Sequence, residues 1–477
     1  MTQKESGDNM GRVIFLSVIA ALGGFLFGYD SGVINGTVDA IQQAFDSDAA
    51  GTGFNVASML LGCAFGAFFA GNIADKIGRK PVLLLTAATF IISAWGSGIA
   101  TSSGEFVIFR LLGGLAVGAA SIIAPAYIGE IAPARYRGGL ISLQQLAIVV
   151  GIFASFLSNY LIASAAGTAT AEFWFGFDAW QWMFWMEIIP ASVFLTALIF
   201  IPESPRYLVA SGKSEQAEKV LGRLFYGMDI KAKVEDIRLT VTRERKPRMW
   251  DMVSQKTKNL HPIVWAGLGL AALQQFTGIN VVFYYGAVLW QAAGFTEADA
   301  LFTNVVTGSV NVAFTLLAIY LVDKIGRKPL LMIGGLGQAA MLAVLGLVFG
   351  FAAEGDAGAL QLTGSEGVIA LLAANLYVAF FATTWGPVMW VMLGEMFPNK
   401  FRGAALAVCG VAQWGSNFII TMTFPVLLAS IGLGLSYGIY AFFGIVAFIF
   451  VRKVIKETKG RTLEEMSLEH EERESMK

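Results

Sequence analysis

Basic residues occupy only every other gap between the apolar runs of this chain. Twelve mostly apolar stretches of about 20 residues or more can be marked: 12–35, 54–74, 81–100, 106–130, 138–162, 182–201, 262–291, 300–322, 330–352, 368–394, 403–429 and 433–452. Each is long enough for a helix to cross the hydrocarbon core of a bilayer. Of the 33 Lys and Arg, 32 fall at Lys4 and Arg12 or in 76–80, 135–137, 206–258, 324–328, 400–402 and 452–477. The alternate loops 36–53, 101–105, 163–181, 292–299, 353–367 and 430–432 hold none, although they carry Asp39, Asp46, Asp48 and Glu172. One missed helix would scramble this pattern, so it supports the span count as well as the orientation. The pattern predicts an integral, multi-pass membrane protein with both termini cytoplasmic by the positive-inside rule, and the plasma (inner) membrane is its expected location. Arg110, inside the fourth run, is the single exception.

The two halves of the chain echo each other. Asp75-Lys76-Ile77-Gly78-Arg79-Lys80-Pro81 returns as Asp323-Lys324-Ile325-Gly326-Arg327-Lys328-Pro329. Gly129-Glu130-Ile131-Ala132-Pro133 with Arg137-Gly138 returns as Gly394-Glu395-Met396-Phe397-Pro398 with Arg402-Gly403. These echoes predict an all-α membrane protein of twelve transmembrane helices in two six-helix, pseudo-symmetric halves. Residues 1–202 form the first half, 203–261 a cytoplasmic helical linker, 262–455 the second half and 456–477 a cytoplasmic tail. Internally duplicated membrane proteins commonly bind cargo between their halves and expose it to each side in turn.

Composition narrows the class. A chain 56% hydrophobic and 14% charged, with mean hydropathy +0.64, would expose too much apolar surface in water. Its net charge of −1 gives no reason to expect a nucleic-acid partner. Cys63 and Cys409 fall in separate apolar runs and read as packing residues. The polar stretch Met1–Gly11 is no cleavable leader, and the first run is too long for a signal h-region, so it reads as a retained span. His261 and His470, at a span edge and in the tail, make no metal or catalytic constellation, and no phosphate-binding loop appears. An enzyme and an ATP-driven pump are therefore disfavoured, and no cofactor is expected. In the linker, Ser214–Leu221 suits an amphipathic helix with Ser214 as its N-cap and a stripe of Val220, Leu221, Leu224 and Phe225. Val234–Val241 suits a second, and the Glu-rich tail could cap the bundle.

The repeated Asp-x-x-Gly-Arg-Lys loop resembles the marker of the major facilitator superfamily. Four further strings resemble its sugar porter branch: Pro202-Glu203-Ser204-Pro205-Arg206, Gln274-Gln275-Phe276-Thr277-Gly278-Ile279-Asn280, Trp385-Gly386-Pro387-Val388-Met389-Trp390 and Glu457-Thr458-Lys459-Gly460. They stand in the expected order, and the resemblance covers essentially the whole chain. Lys456 departs from the proline that usually opens the last string. The overall look is that of bacterial proton-coupled xylose and glucose symporters, with mammalian glucose facilitators more distant. The resemblance implies a monosaccharide as cargo, a proton as co-substrate, and a chain that functions as a monomer in the lipid bilayer.

A sugar presents hydroxyls and weakly apolar ring faces, so its site needs amides and aromatic rings. Gln274, Gln275 and Asn280 cluster in the seventh run, and a local break at Gly278 would let them converge. Helix–helix glue is the usual role of a lone buried amide, but three in one span favour a site. In sugar porters the positions matching Gln145, Gln274, Gln275, Asn280, Asn311, Trp390 and Gln413 contact the sugar. Phe27, Tyr284, Phe381, Gly386 and Trp414 match further lining positions. At Ile152 the xylose symporters carry a glutamine and facilitators an isoleucine.

Asp30, Arg110 and Glu187 are ionisable groups inside apolar runs of the first half, at comparable depth. Each costs about 2.5–3.5 kcal/mol at mid-bilayer on insertion scales, so pairing is expected. Proton-coupled members of the family carry Asp at the position of Asp30, and facilitators carry Asn, which favours symport over a proton-independent uniporter. Finally, Asp75, Arg79, Glu130, Arg137, Glu203 and Arg206, with Asp323, Arg327, Glu395 and Arg402 in the second half, lie at cytoplasmic helix ends. They are candidates for a gate that bridges helices when that side is closed. Solvated loop charge is the plainer reading of some of them.

Overall fold

A computed structural model describes residues 9–133, 135–226, 229–243, 249–253, 258–354, 360–362, 364–398 and 401–459. The first half runs through α1 (Met10–Val33), a 3-10 turn (Ile34–Gly36), the short α2 (Val38–Ala44), α3 (Ala49–Ile77), α4 (Arg79–Ile99), α5 (Ser103–Ile131) and α6 (Arg137–Ala166). A hairpin of β1 (Glu172–Trp174) and β2 (Phe177–Asp178) leads into a sixth span made of α7 (Ala179–Trp185) and α8 (Ile188–Phe200). The linker holds α9 (Pro205–Ala210), α10 (Ser214–Leu224) and α11 (Ile230–Arg243). The second half comprises α12 (Pro262–Phe276), α13 (Ile279–Ala292), α14 (Glu297–Ile325), α15 (Arg327–Phe351), a second hairpin of β3 (Ala353–Glu354) and β4 (Leu360–Gln361), α16 (Gly364–Thr383), α17 (Trp385–Met396) and α18 (Arg402–Val454).

Among the described residues, eleven helical segments are long and apolar enough to cross a membrane, and the last of these is 53 residues long. Gly432, at φ 74°, breaks that helix, so it supplies spans eleven and twelve. The twelve-span reading therefore stands. Gly278, at φ 81°, sits in the left-handed region between α12 and α13, where the break was expected. Two other spans are broken where no break was expected. Pro190 has no N–H for the Met186 carbonyl, which interrupts the hydrogen-bond ladder between α7 and α8 at Glu187 while Met186 and Glu187 keep right-handed helical angles. Pro387 does the same to the carbonyl of Thr383, and the chain kinks at Thr384 (φ −128°, ψ −88°) before α17.

Small residues let helices touch where lipid gives no hydrophobic drive between them. Gly62 and Gly66 on α3 face Gly114 and Gly118 on α5; a Cβ on Gly114 would lie 1.9 Å from the Met59 carbonyl. The halves meet where α3 packs on α18 and α6 on α14. Their close points lie away from the linker: a Cβ on Gly53 would stand 2.3 Å from the Met422 carbonyl, and Gly308 abuts Phe153 and Phe156.

The linker helices bury Leu208, Val209, Ala217, Leu221 and Val234 in a small core of their own, with Val220 and Phe225 packed against it. The expected stripe is thus used. Ser214 is not the N-cap: it is the first residue of α10, Lys213 precedes it, and the Lys213 carbonyl takes the first helical N–H bonds. The second linker helix is longer than Val234–Val241. The Glu-rich part of the tail, 460–477, lies outside the described residues, as does His470.

Candidate functional site

A cavity of about 1130 Å³ lies between the halves. It reaches from mid-depth to the helix ends on the linker side, where Asn72, Asp75, Gly394 and Gly403 line its mouth. All twelve residues expected to hold the cargo line it: Phe27, Gln145, Gln274, Gln275, Asn280, Tyr284, Asn311, Phe381, Gly386, Trp390, Gln413 and Trp414. The volume exceeds the roughly 300–1,000 Å³ of an enclosed small-molecule pocket, as befits a site open on one side.

The broken spans explain the convergence of the amides. Gln274 and Gln275 end α12 and Asn280 begins α13, so the Gly278 turn folds them onto one locus. Asn280 Nδ2 donates to Gln275 Oε1, and Gln275 Nε2 donates to Gln274 Oε1 at 3.0 Å. Gln413 Nε2, on α18, donates to the same Gln274 oxygen at 3.4 Å. Gln274 Nε2 in turn donates at 2.9 Å to the carbonyl of Trp385, the first residue of α17 after the kink at Thr384. These amides satisfy one another, while the buried Gln413 Oε1 has no partner. Such a relay can trade internal bonds for cargo hydroxyls at little net desolvation. Phe27 and Trp414 pack with ring centres 5.7 Å apart across the halves, and Trp390 is 38% exposed into the cavity. Tyr284 accepts from Asn417 Nδ2 at 3.4 Å, whereas Tyr285 turns away to the Thr421 carbonyl.

Asp30 and Arg110 meet as an ion pair, 1% exposed each, that joins α1 to α5. Arg110 Nη2 also donates to the Asp30 carbonyl at 3.2 Å, and the guanidinium lies 5.6 Å from the ring centre of Phe184. Asp30 Oδ2 and Arg110 Nε have no partner. Glu187, also 1% exposed, has an unpartnered carboxylate oxygen and interacts electrostatically with both charges. The three ionisable groups are therefore one buried cluster. Ser31 and Gly32 line the cavity, so the cluster stands one residue behind its wall.

Known proteins give this arrangement a family. The description "Sugar (and other) transporter" matches residues 16–469. A glucose transport protein of Synechocystis is 51% identical over 463 residues, covering 97% of this chain and 98% of that protein. A D-xylose-proton symporter of Escherichia coli K12 is 38% identical over 490 residues, covering 96% of each. The E. coli xylose transporter XylE, solved in a partially occluded inward-open conformation, superposes with TM-score 0.82 at 37% identity, covering 95% of this chain and 100% of that one. The chain belongs to the sugar transporter family. It is a multi-pass membrane protein of the major facilitator superfamily, and its fold is that of XylE.

The transporter's linker-side charges form two matching clusters. Arg79 makes a paired contact with Glu130 (3.1 and 3.0 Å) and reaches Asp75 at 3.3 Å. Arg327 does the same with Glu395 (3.0 and 2.8 Å) and Asp323 at 2.9 Å. Glu203 accepts the backbone N–H of Arg79, Lys80 and Ser204, and so caps α4. Glu457 accepts those of Arg327, Lys328, Thr458 and Lys459, and caps α15. Burial opposes charge on Glu457, but these four donors hold its carboxyl below the usual carboxylate range. Each cluster ties helix ends inside one half and stays made while the cavity is open on that side. Arg402 donates to the Phe397 carbonyl at the start of α18, Arg206 is half-buried on α9, and Arg137 is exposed in the first turn of α6.

The opposite side is held by residues the sequence reading passed over. Asn35, in the 3-10 turn, donates to the Phe283 carbonyl (2.9 Å) and accepts from Ala287 N (3.2 Å) and Asn304 Nδ2 (2.8 Å). Gln291 donates to Asp39 at 2.7 Å, and Ala169 N donates to Glu297 at 2.7 Å. Five hydrogen bonds thus join the halves there. Burial, only partly offset by the Gln291 bond, raises the carboxyl of Asp39 above its usual range. The one signal in the sequence was Asn35, a polar residue closing the first apolar run. Gln144 is a second omission: it lines the cavity beside Gln145, and neither of its amide atoms has a partner.

Proposed function

We propose that the transporter moves a monosaccharide, a hexose such as glucose and secondarily xylose, by alternating access with proton symport. The observation that carries this is the buried Asp30–Arg110–Glu187 cluster one residue behind an amide-lined cavity. Arg110 keeps its proton at any working pH, so the two acids are the groups that can load and release one. The ion pair ties α1 to α5 and needs an ionised carboxylate, so it cannot coexist with a proton on Asp30. A rearrangement that parts α1 from α5 therefore couples proton uptake to the change of access. A gradient of about 100 mV plus one pH unit supplies roughly 3.7 kcal/mol per proton, enough for several-hundred-fold accumulation.

The preference for glucose is supported by Ile152, which lines the cavity with hydrocarbon where the xylose symporters carry a glutamine, and by the Synechocystis glucose transport protein. The positive-inside pattern puts the linker side in the cytoplasm, so the described state is inward-open. A proton-independent uniporter is the second reading, favoured by the fact that the Asp30–Arg110 ion pair is present in the described state, as a purely structural pair is. Uptake of labelled glucose and xylose into proteoliposomes, with and without an imposed proton gradient, tests both. The proposal expects accumulation of glucose above xylose and only with the gradient. Equilibration without accumulation supports the uniporter.

A further inference from the structure

The hairpin between α6 and α7 concentrates aromatic rings on the side away from the linker. Its strands pair Trp174 with Phe177, leaving a two-residue turn of Phe175 and Gly176, both at positive φ (57° and 78°). Such a turn is easiest for Asn-Gly, because a bulky side chain is strained in the left-handed region. Here a phenylalanine takes the strained place, and it is 88% exposed. A tip facing water would gain nothing from that choice. The rest of the hairpin continues the apolar character: Trp174 stacks on Phe173 (4.3 Å), Trp182 sits edge-on to Trp174 (5.6 Å), and Phe177 edge-on to Trp185 (4.9 Å). Trp182 Nε1 donates to the Trp174 carbonyl, and Trp185 Nε1 to that of Trp95.

That last bond fixes the level of the cluster. Trp95 is 53% exposed on α4, four residues or about 6 Å short of the helix end. It belongs to the same exposed apolar surface as Ile92 on α4 and Ile189 and Val193 on α8, the outward faces of membrane spans. Aromatic rings with a polar edge settle at the headgroup level of a bilayer. The loop 163–181 carries no Lys or Arg, so ring burial rather than attraction to anionic headgroups must hold it there. We infer that this hairpin is a lipid-binding device, with the Phe175 tip and Trp174 seated in the interfacial layer of the leaflet away from the linker. It fixes the depth of the α6–α7 corner, whose Ala169 bonds Glu297 of the other half.

A nitroxide label at Phe175→Cys, in protein reconstituted into phosphatidylethanolamine–phosphatidylglycerol vesicles, tests this by its collisions with oxygen and with a water-soluble nickel chelate. Cys63 and Cys409 are buried and do not compete for label. Labels at Thr168→Cys and Trp95→Cys give the aqueous and lipid references. The inference expects the 175 label to be shielded from nickel several-fold more than the 168 label and to approach the 95 label. Equal nickel access at 175 and 168 overturns it. Spin–spin broadening at 175 that grows with protein density assigns the tip to a second copy and overturns it too. Phe175→Asn is the independent arm. It suits the turn better, so a water-facing tip predicts a higher melting temperature in the same vesicles, whereas a lipid-seated tip predicts an unchanged or lower one.

Discussion

Gln274 is the hub of the cavity, yet Gln275 is the more informative residue to change. Gln274 supports the Trp385 carbonyl and two neighbouring amides, so its loss would disturb the empty protein. Gln275 bonds only Gln274 and Asn280, both cavity-lining side chains. Gln275→Ala should weaken sugar binding by about 1–3 kcal/mol, roughly five- to 150-fold, with insertion and melting little changed. Calorimetric titration checks it, and an unaltered affinity would remove the amide relay from the site. Gln144 offers a contrast: its amide makes no bond in the described state, so Gln144→Leu should leave the stability of this state nearly intact.

Helix ends carry the pseudo-symmetry further than the sequence echo did. The repeated Asp-x-x-Gly-Arg-Lys strings were visible at once, and the charged residues around them were named. Their partners were not fully legible, because Glu203 and Glu457 sit 120 residues or more from the N–H groups they cap. Only the fold brings those strings together. The Gly278 break could be read from amides that would otherwise face different ways, while the breaks at Glu187 and Thr384 were missed although Pro190 and Pro387 announced them. The two hairpins could not be read, since two- and three-residue strands leave no alternation to detect. Glu457→Ala removes a four-donor cap, and should cost about 0.5–2 kcal/mol and lower the melting temperature. The sign with pH follows from its lowered pKa. The stabilisation is complete above the ordinary carboxylate range and fades as pH falls through the folded value, so wild type and variant should converge in acid. A gap that persists in acid would mean that Glu457 acts by packing.

Taken whole, the molecule is pinched on one side and open on the other. Every one of the five hydrogen bonds described between the halves lies opposite the open cavity, and Asn35 makes three of them. At about 0.5–1.5 kcal/mol each, removing three shifts the balance between the two access states by about tenfold or more. Asn35→Ala should therefore enrich the state closed on the linker side, seen as a longer label-to-label distance between α2 and α14 in pulsed spin-resonance. An unchanged distance distribution would assign the closure to helix packing at Gly53 and Gly308.

Energy coupling is the central claim, and proton movement reads it directly. In lightly buffered, de-energised vesicles, adding sugar should alkalinise the medium on the side from which the sugar enters, because under the proposed symport protons leave that medium with the sugar. Asp30→Asn keeps the volume of the side chain but cannot titrate. It should abolish the alkalinisation while sugar still binds at Gln274, Gln275, Asn280 and Trp390. Wild-type protein that carries sugar with no pH change would contradict the account and leave Asp30 as a structural partner of Arg110.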